Sequence, residues 1–143
     1  MSNIRMATLS DSIAINLLST HLGYGETAQN IADIRLKNIL DSSVDKVYVY
    51  QQDNTILAWL HLFKAHRVAS NTFYEIAGLV VAPSARNKGI ARELIAFATR
   101  SLTDSQLRVR CNSQRESAHK FYEKVGFERT KTQYVFKHQI NNC

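Results

Sequence analysis

Apolar residues recur along this chain in two rhythms, and the changes of rhythm mark its elements. Ile4 and Met6 suggest a short strand, and Asp11 stands as cap to a helix with Ile13, Leu17, Leu18 and His21 on one side, ended by Gly23 and Gly25. From Glu26 to Leu40, Ile31, Ile34, Ile39 and Leu40 fall at loosely helical spacing, with Arg35 and Lys37 on the wet face. Val47 and Val49 alternate with Tyr48 and Tyr50, and after the turn residues Asp53 and Asn54 comes the apolar run Ile56 to Phe63, an antiparallel hairpin. Phe73 to Val81 reads as a strand whose alternation dissolves into Ala77-Gly78-Leu79-Val80-Val81, as in a strand buried on both faces, and Pro83 stops it. Ile90, Leu94, Ile95, Ala98 and Leu102 mark a helix over 87–102. Leu107, Val109 and Cys111 then alternate with Arg108 and Arg110 as a strand. Ala118, Phe121, Tyr122 and Val125 return to helical spacing, closed by Gly126. Thr132 to His138 alternates as a last strand, with a further short strand around Phe127 to Arg129.

This order predicts a single domain over 1–143 of the α+β class, a mixed sheet covered by helices. The strands at Phe73–Val81 and Leu107–Cys111 flank one helix, so they should form a parallel, right-handed crossover. Ligands of such sheets bind at the carboxyl ends of the strands, here Val81 and Cys111.

Composition narrows the classes. With 45% hydrophobic and 21% charged residues among 143, and one proline, the chain suits one globular core. No run approaches the ~20 apolar residues of a membrane span, and the start Met1-Ser2-Asn3-Ile4-Arg5 lacks the layout of a secretory signal, so a cytoplasmic location without a membrane partner is expected. Cys111 and Cys143 are a poor pair for a disulfide and should be free thiols. The five histidines are scattered without metal-ligand spacing, so no metal is expected. The net charge of +6 points to an anionic partner: nucleic acid, a polyphosphate cofactor or an acidic surface.

The junction after Val81 carries the most chemistry. Arg86-Asn87-Lys88-Gly89-Ile90-Ala91 opens a helix, where backbone N–H groups lack partners at the positive end of the dipole. Gly89 lets an anion approach the backbone, Asn87 tolerates a left-handed conformation, and Arg86, Lys88 and Arg92 add positive charge. Two readings stay open at this point, an anion cradle and an ordinary exposed helix start.

Together with Leu79-Val80-Val81-Ala82-Pro83 before it and Ala118-His119-Lys120-Phe121-Tyr122-Glu123-Lys124-Val125-Gly126-Phe127 beyond it, this motif resembles the GNAT superfamily of acetyl-CoA-dependent N-acetyltransferases. The resemblance covers nearly the whole chain and is most specific between Glu75 and Phe127. It departs from the family's pattern at Asn87, where glycine is frequent, and at Arg115, where asparagine is frequent.

It implies a central, mostly antiparallel sheet of six to seven strands with a parallel pair at the cofactor cleft, flanked by four helices. It further implies that Arg86, Asn87, Lys88, Gly89, Ile90, Ala91 and Arg92 hold the pyrophosphate of acetyl-CoA. Leu79, Val80 and Val81 would pair their backbone with the pantetheine arm, and a main-chain N–H there would stabilise an oxyanion. Asn112 would bond a pantetheine amide, or act as a local cap, and Arg115 would reach the cofactor or an anionic group of the substrate.

Catalysis needs a free amine, and a lysine-like amine with a pKa of ~10.4 is neutral about once in a thousand molecules at pH 7. Glu75 is the candidate base, the acidic residue of its strand and by parity on the face of Leu79 and Val81; the alternatives are a solvated edge residue or a group binding a cationic substrate. Tyr122 matches the family's general acid for the departing thiolate, and otherwise packs within its apolar stripe. Trp59 and His61 line an acceptor cleft or belong to the core.

The expected function is direct transfer of the acetyl group of acetyl-CoA to a primary amine of a small molecule, without a covalent enzyme intermediate, since Cys111 is expected to point into the core. Peptide or protein amines are the alternative acceptors. A non-catalytic acetyl-CoA sensor and a nucleic-acid-binding module are the competing classes, the latter disfavoured because the cations cluster at one helix start. The family makes a homodimer an expectation.

Overall fold

The computed structural model describes residues 3–102 and 105–141. It forms two compact units, Met1–Val109 and Arg110–Cys143. The first contains β1 (Ile4–Met6), α1 (Ser12–Ser19), α2 (Gln29–Leu40), β2 (Asp45–Gln52), β3 (Thr55–Ala65), β4 (Phe73–Val81), α3 (Ile90–Arg100) and β5 (Leu107–Val109); the second contains α4 (Glu116–Lys124). Among the described residues no helix is long and apolar enough to cross a membrane.

The sheet runs β1-β2-β3-β4-β5. The first four strands pair antiparallel and β5 runs parallel to β4, so the mixed sheet and its parallel pair are as expected. The strand number is five among the described residues, not six to seven. Neither Phe127–Arg129 nor Thr132–His138 forms a strand, and residues 128–141 are exposed throughout. With Tyr134 and Phe136 88% and 92% exposed, the alternation of this segment has no buried face to serve. The strand predicted over Leu107–Cys111 likewise stops at Val109.

The β2–β3 hairpin turns on Asp53 and Asn54, both at positive φ (49° and 65°), the backbone that matches the twist of the flanking strands. Leu57 is a surplus residue of β3, because Gln51 pairs with Ile56 and Tyr50 with Ala58. α3 buries Ile90, Leu94, Ile95 and Ala98, the predicted stripe, and its Phe97 meets Tyr48 of β2 edge-on at 5.9 Å. The opposite face of the sheet packs Val47, Val49, Trp59 and Val80 against Leu18 of α1 and Leu36 of α2.

The predicted face of α1 is corrected: Leu18 is buried, whereas Ile13 and Leu17 are each 70% exposed. Asp11 stands at the N-cap position of α1, as expected, but its side chain makes no capping bond to that helix. It closes the 3-10 turn Leu9–Asp11, where its carboxylate accepts the Thr8 backbone N–H at 2.8 Å and a two-pronged contact from Arg5 at 2.8 and 2.9 Å.

The Arg5 hydrogen bond is the main cause that holds the Asp11 carboxyl below its ordinary value, against a burial effect of opposite sign. A lowered native value means that this contribution is present above the unfolded-state pKa of ~3.9 and fades as the pH falls through the native value. Asp11→Ala should therefore cost about 2 kcal/mol at neutral pH, the range for hydrogen bonds to a charged group. In urea titrations the gap from wild type should close as the pH is taken down through the titration of Asp11.

Candidate active site

Within the first unit, β4 supplies both the candidate base and a free edge. Its partner β5 ends opposite Ile76, so along that side Ala77 to Val81 have no strand neighbour among the described residues. Backbone groups on such an edge are open to an extended ligand. Leu79, Val80 and Val81 lie on this stretch, where the cofactor arm was expected.

The chain leaves the edge through the 3-10 turn Pro83–Ala85 and enters α3 through a loop in which Asn87 (φ 64°) and Gly89 (φ 81°) are left-handed. The first backbone bond at the helix start runs from the Glu93 N–H to the Gly89 carbonyl at 3.0 Å. The amides of Ile90, Ala91 and Arg92 precede it and face the N-terminal end of α3 with no helical acceptor. Nothing lies within 4 Å of a Cβ built on Gly89, so the space above this loop is open. Arg86, Lys88 and Arg92 are exposed, and Arg86 Nε donates to the Val81 carbonyl at 3.2 Å, tying the loop to the end of the strand. Open amides, an accessible glycine and three cations at the carboxyl end of β4 are the features that the anion-cradle reading requires.

The parity expected for Glu75 is corrected by a bulge. His61 pairs with Gly78 and Leu62 with Ile76, so Ala77 is a surplus residue and the alternation reverses across it. Glu75 pairs with Phe63, and it shares a face with Gly78 and Val80, not with Leu79 and Val81. That is the face packed by α1 and α2. Gly78 is required there: a Cβ would lie 2.6 Å from Trp59 Cη2, so the indole ring occupies the place of its side chain. Trp59 is core, as one expectation had it, with Nε1 buried and unpartnered. On the same face His61 Nε2 bonds Asp45 Oδ1 at 2.7 Å. Asp45 was not singled out from the sequence, because its partner depends on the surplus at Leu57.

The second unit holds Cys111, Asn112, Arg115 and Tyr122. Asn112 serves as a local cap: its Oδ1 accepts the Gln114 N–H at 2.9 Å, and its carbonyl accepts the Arg115 N–H at 3.0 Å and meets His119 Nε2 at 2.8 Å. Cys111 lies past the end of β5 and is half-buried, not an inward residue of a strand; burial raises its thiol pKa and Arg115 opposes the rise. Tyr122 packs its ring edge-on against Phe121 and Phe127, with centroids 5.1 and 5.4 Å away. Burial first, then the Cys111 thiol, pushes its phenol up to about 12, with Arg115 pulling the other way. The hydroxyl therefore keeps its proton across the neutral range and is a standing donor.

Comparison with known proteins agrees with the fold. Residues 20–140 match a family model described as an acetyltransferase (GNAT) domain. No curated protein matches the sequence. Among solved structures, the aminoglycoside acetyltransferase AAC(6')-Iy in complex with a bisubstrate analogue, CoA-S-monomethyl-acetylneamine, superposes with a TM-score of 0.85 at 18% identity, over 96% of this chain and 97% of that one. The aminoglycoside 6'-N-acetyltransferase AAC(6')-Ih from Acinetobacter baumannii gives 0.83 at 16% identity, over 97% and 99%. A protein from Agrobacterium tumefaciens described as a putative acetyltransferase gives 0.84 at 18% identity, over 94% and 99%.

Proposed function

Because this chain belongs to the GNAT acetyltransferase family, we propose that it moves the acetyl group of acetyl-CoA onto a primary amine of a small molecule, its two units working as one domain. The observation that carries the reading is the continuous path from the unpaired edge of β4 into the open amides of α3. An extended amide-bearing arm fits the first part and a diphosphate the second. That aminoglycoside acetyltransferases share the fold over nearly the whole chain favours a small amine acceptor.

Acetyl-CoA supplies a thioester carbonyl; the protein supplies proton traffic and placement. Glu75 takes a proton from the acceptor ammonium, and the freed amine attacks the carbonyl carbon, forming the C–N bond as the C–S bond breaks. Main-chain N–H groups of the β4 edge are donors for the charge gathering on the carbonyl oxygen. Tyr122 gives its proton to the departing sulfur and recovers one from the new amide nitrogen through water. A phenol with a pKa of about 12 is a poor free acid for a thiolate near ~8.5, so donation keeps step with C–S cleavage and does not precede it.

The test is release of free CoA over a panel of aminoglycosides, polyamines, aminophosphonates, amino acids and lysine peptides. Turnover of a small-amine class is expected, with kcat about a hundredfold lower in Tyr122→Phe and the KM for acetyl-CoA unchanged. Turnover confined to lysine peptides would overturn the acceptor class. Binding of acetyl-CoA with no turnover would overturn the enzyme reading in favour of a sensor.

A further inference from the structure

We propose that His61, held by Asp45, is a second contact point for the acceptor, selecting amines that carry a further N–H or O–H donor near the one acetylated. The inference rests on the acetyltransferase reading above and deepens it on the acceptor side.

Register places the groups. Asp45, Phe63 and Glu75 form one row across β2, β3 and β4, and Val47, His61 and Gly78 form the next. Directly paired residues share a face, so Asp45, His61 and Glu75 all stand on one side of the sheet. His61 and Glu75 stand on adjacent strands, one same-face row apart across the surplus Ala77. The side chains of His61 and Asp45 are 19% and 20% exposed, open enough to be reached.

The hydrogen bonds fix the chemistry. An ionised Asp45 is acceptor-only, so the 2.7 Å contact assigns the ring proton to Nε2, and whenever the ring carries that one proton Nδ1 is left as an acceptor. Among the described residues the ring's hydrogen bond runs through Nε2, and Nδ1 is left without a protein partner. Such an atom accepts a hydrogen bond from an ammonium or hydroxyl. Gly78, opposite His61, brings the flat ring of Trp59 over the strand and gives the contact an apolar neighbour. A cross-strand pair serving stability alone would do as well with apolar side chains, because burying charge and imidazole carries a desolvation cost.

The experiment compares putrescine, whose second amino group is the extra donor, with butylamine, which lacks it. Wild type should prefer putrescine in kcat/KM by about tenfold. His61→Phe should erase the preference through the putrescine KM, with kcat and the acetyl-CoA KM unchanged. Asp45→Ala should do likewise, Asp45→Asn, which retains an acceptor oxygen, should restore much of the preference, and the double variant His61→Phe/Asp45→Ala should be no worse than either single one. In the wild-type protein, putrescine but not butylamine should shift the His61 ring resonances, a readout that needs no variant to fold. Equal use of the two amines by wild type, equal losses on both in His61→Phe, or an unmoved His61 signal would overturn the proposal while CoA release continues. No CoA release with any amine of the panel would overturn the acetyltransferase reading, and this inference with it.

Discussion

Glu75→Gln should lower kcat at pH 7 by about three orders of magnitude, the middle of the range for a positioned general base, and the deficit should shrink as the pH rises. The glutamine keeps the size and polarity of the side chain and removes only its capacity to take a proton. At pH 7 about one acceptor amine in a thousand is already free, and that fraction grows tenfold per pH unit up to a pKa near ~10.4. The variant's rate should climb with that fraction, whereas the wild-type rate, aided by the carboxylate, should vary less. Steady-state kinetics from pH 7 to about pH 9.5 would show the two curves converging. If Glu75 instead only grips a cationic acceptor, the substitution would raise the acceptor KM and leave kcat and its pH dependence unchanged. That outcome would remove it from the proton path.

Gly89→Val should raise the KM for acetyl-CoA by at least about tenfold with a smaller effect on kcat. The residue sits at φ 81°, where a side chain costs about 1–2 kcal/mol and a β-branched one more. A valine would also place methyl groups in the open space beside the amides of Ile90 to Arg92. Strain and obstruction separate with a control: Gly23 has φ 86° and equally open surroundings, but caps a different element, the 3-10 turn Thr20–Leu22. Gly23→Val should lower the melting temperature by a similar amount and leave the acetyl-CoA KM unchanged. Equal KM effects in both would mean that the cradle is not where the cofactor binds.

Much of this was legible in the residues. β4 has the bounds read for it, and the stripe of α3 follows its periodicity because it packs against a face large enough to impose a pattern. The bulge at Ala77 was not, because a surplus residue announces itself only through the partner strand, and Ala-Gly offers no side chain whose misplacement would show. The Asp45–His61 pair was hidden for the same reason. Counted strictly from the Asp53-Asn54 turn, His61 would face Lys46, and only the surplus at Leu57 moves it opposite Val47 and onto the side of Asp45. The Thr132–His138 strand misled in the opposite way: alternation records a propensity, and a strand also needs an edge to pair with. Asn112 kept its expected place past the strand end, yet its oxygens turn to local capping, a choice decided by loop geometry.

The bare edge of β4 has a second meaning. An unpaired strand is a template on which another chain can add itself, and proteins that keep such strands usually guard them with charge. Here the bond from Arg86 to the Val81 carbonyl occupies the last acceptor of that edge, and the exposed Lys88 and Arg92 lie just beyond it. The cations expected to meet the phosphates thus also stand where gatekeeper charges against stacking of one molecule on the next would be placed. Neutralising them would trade solubility as well as cofactor affinity, two properties that this short stretch of sequence holds together.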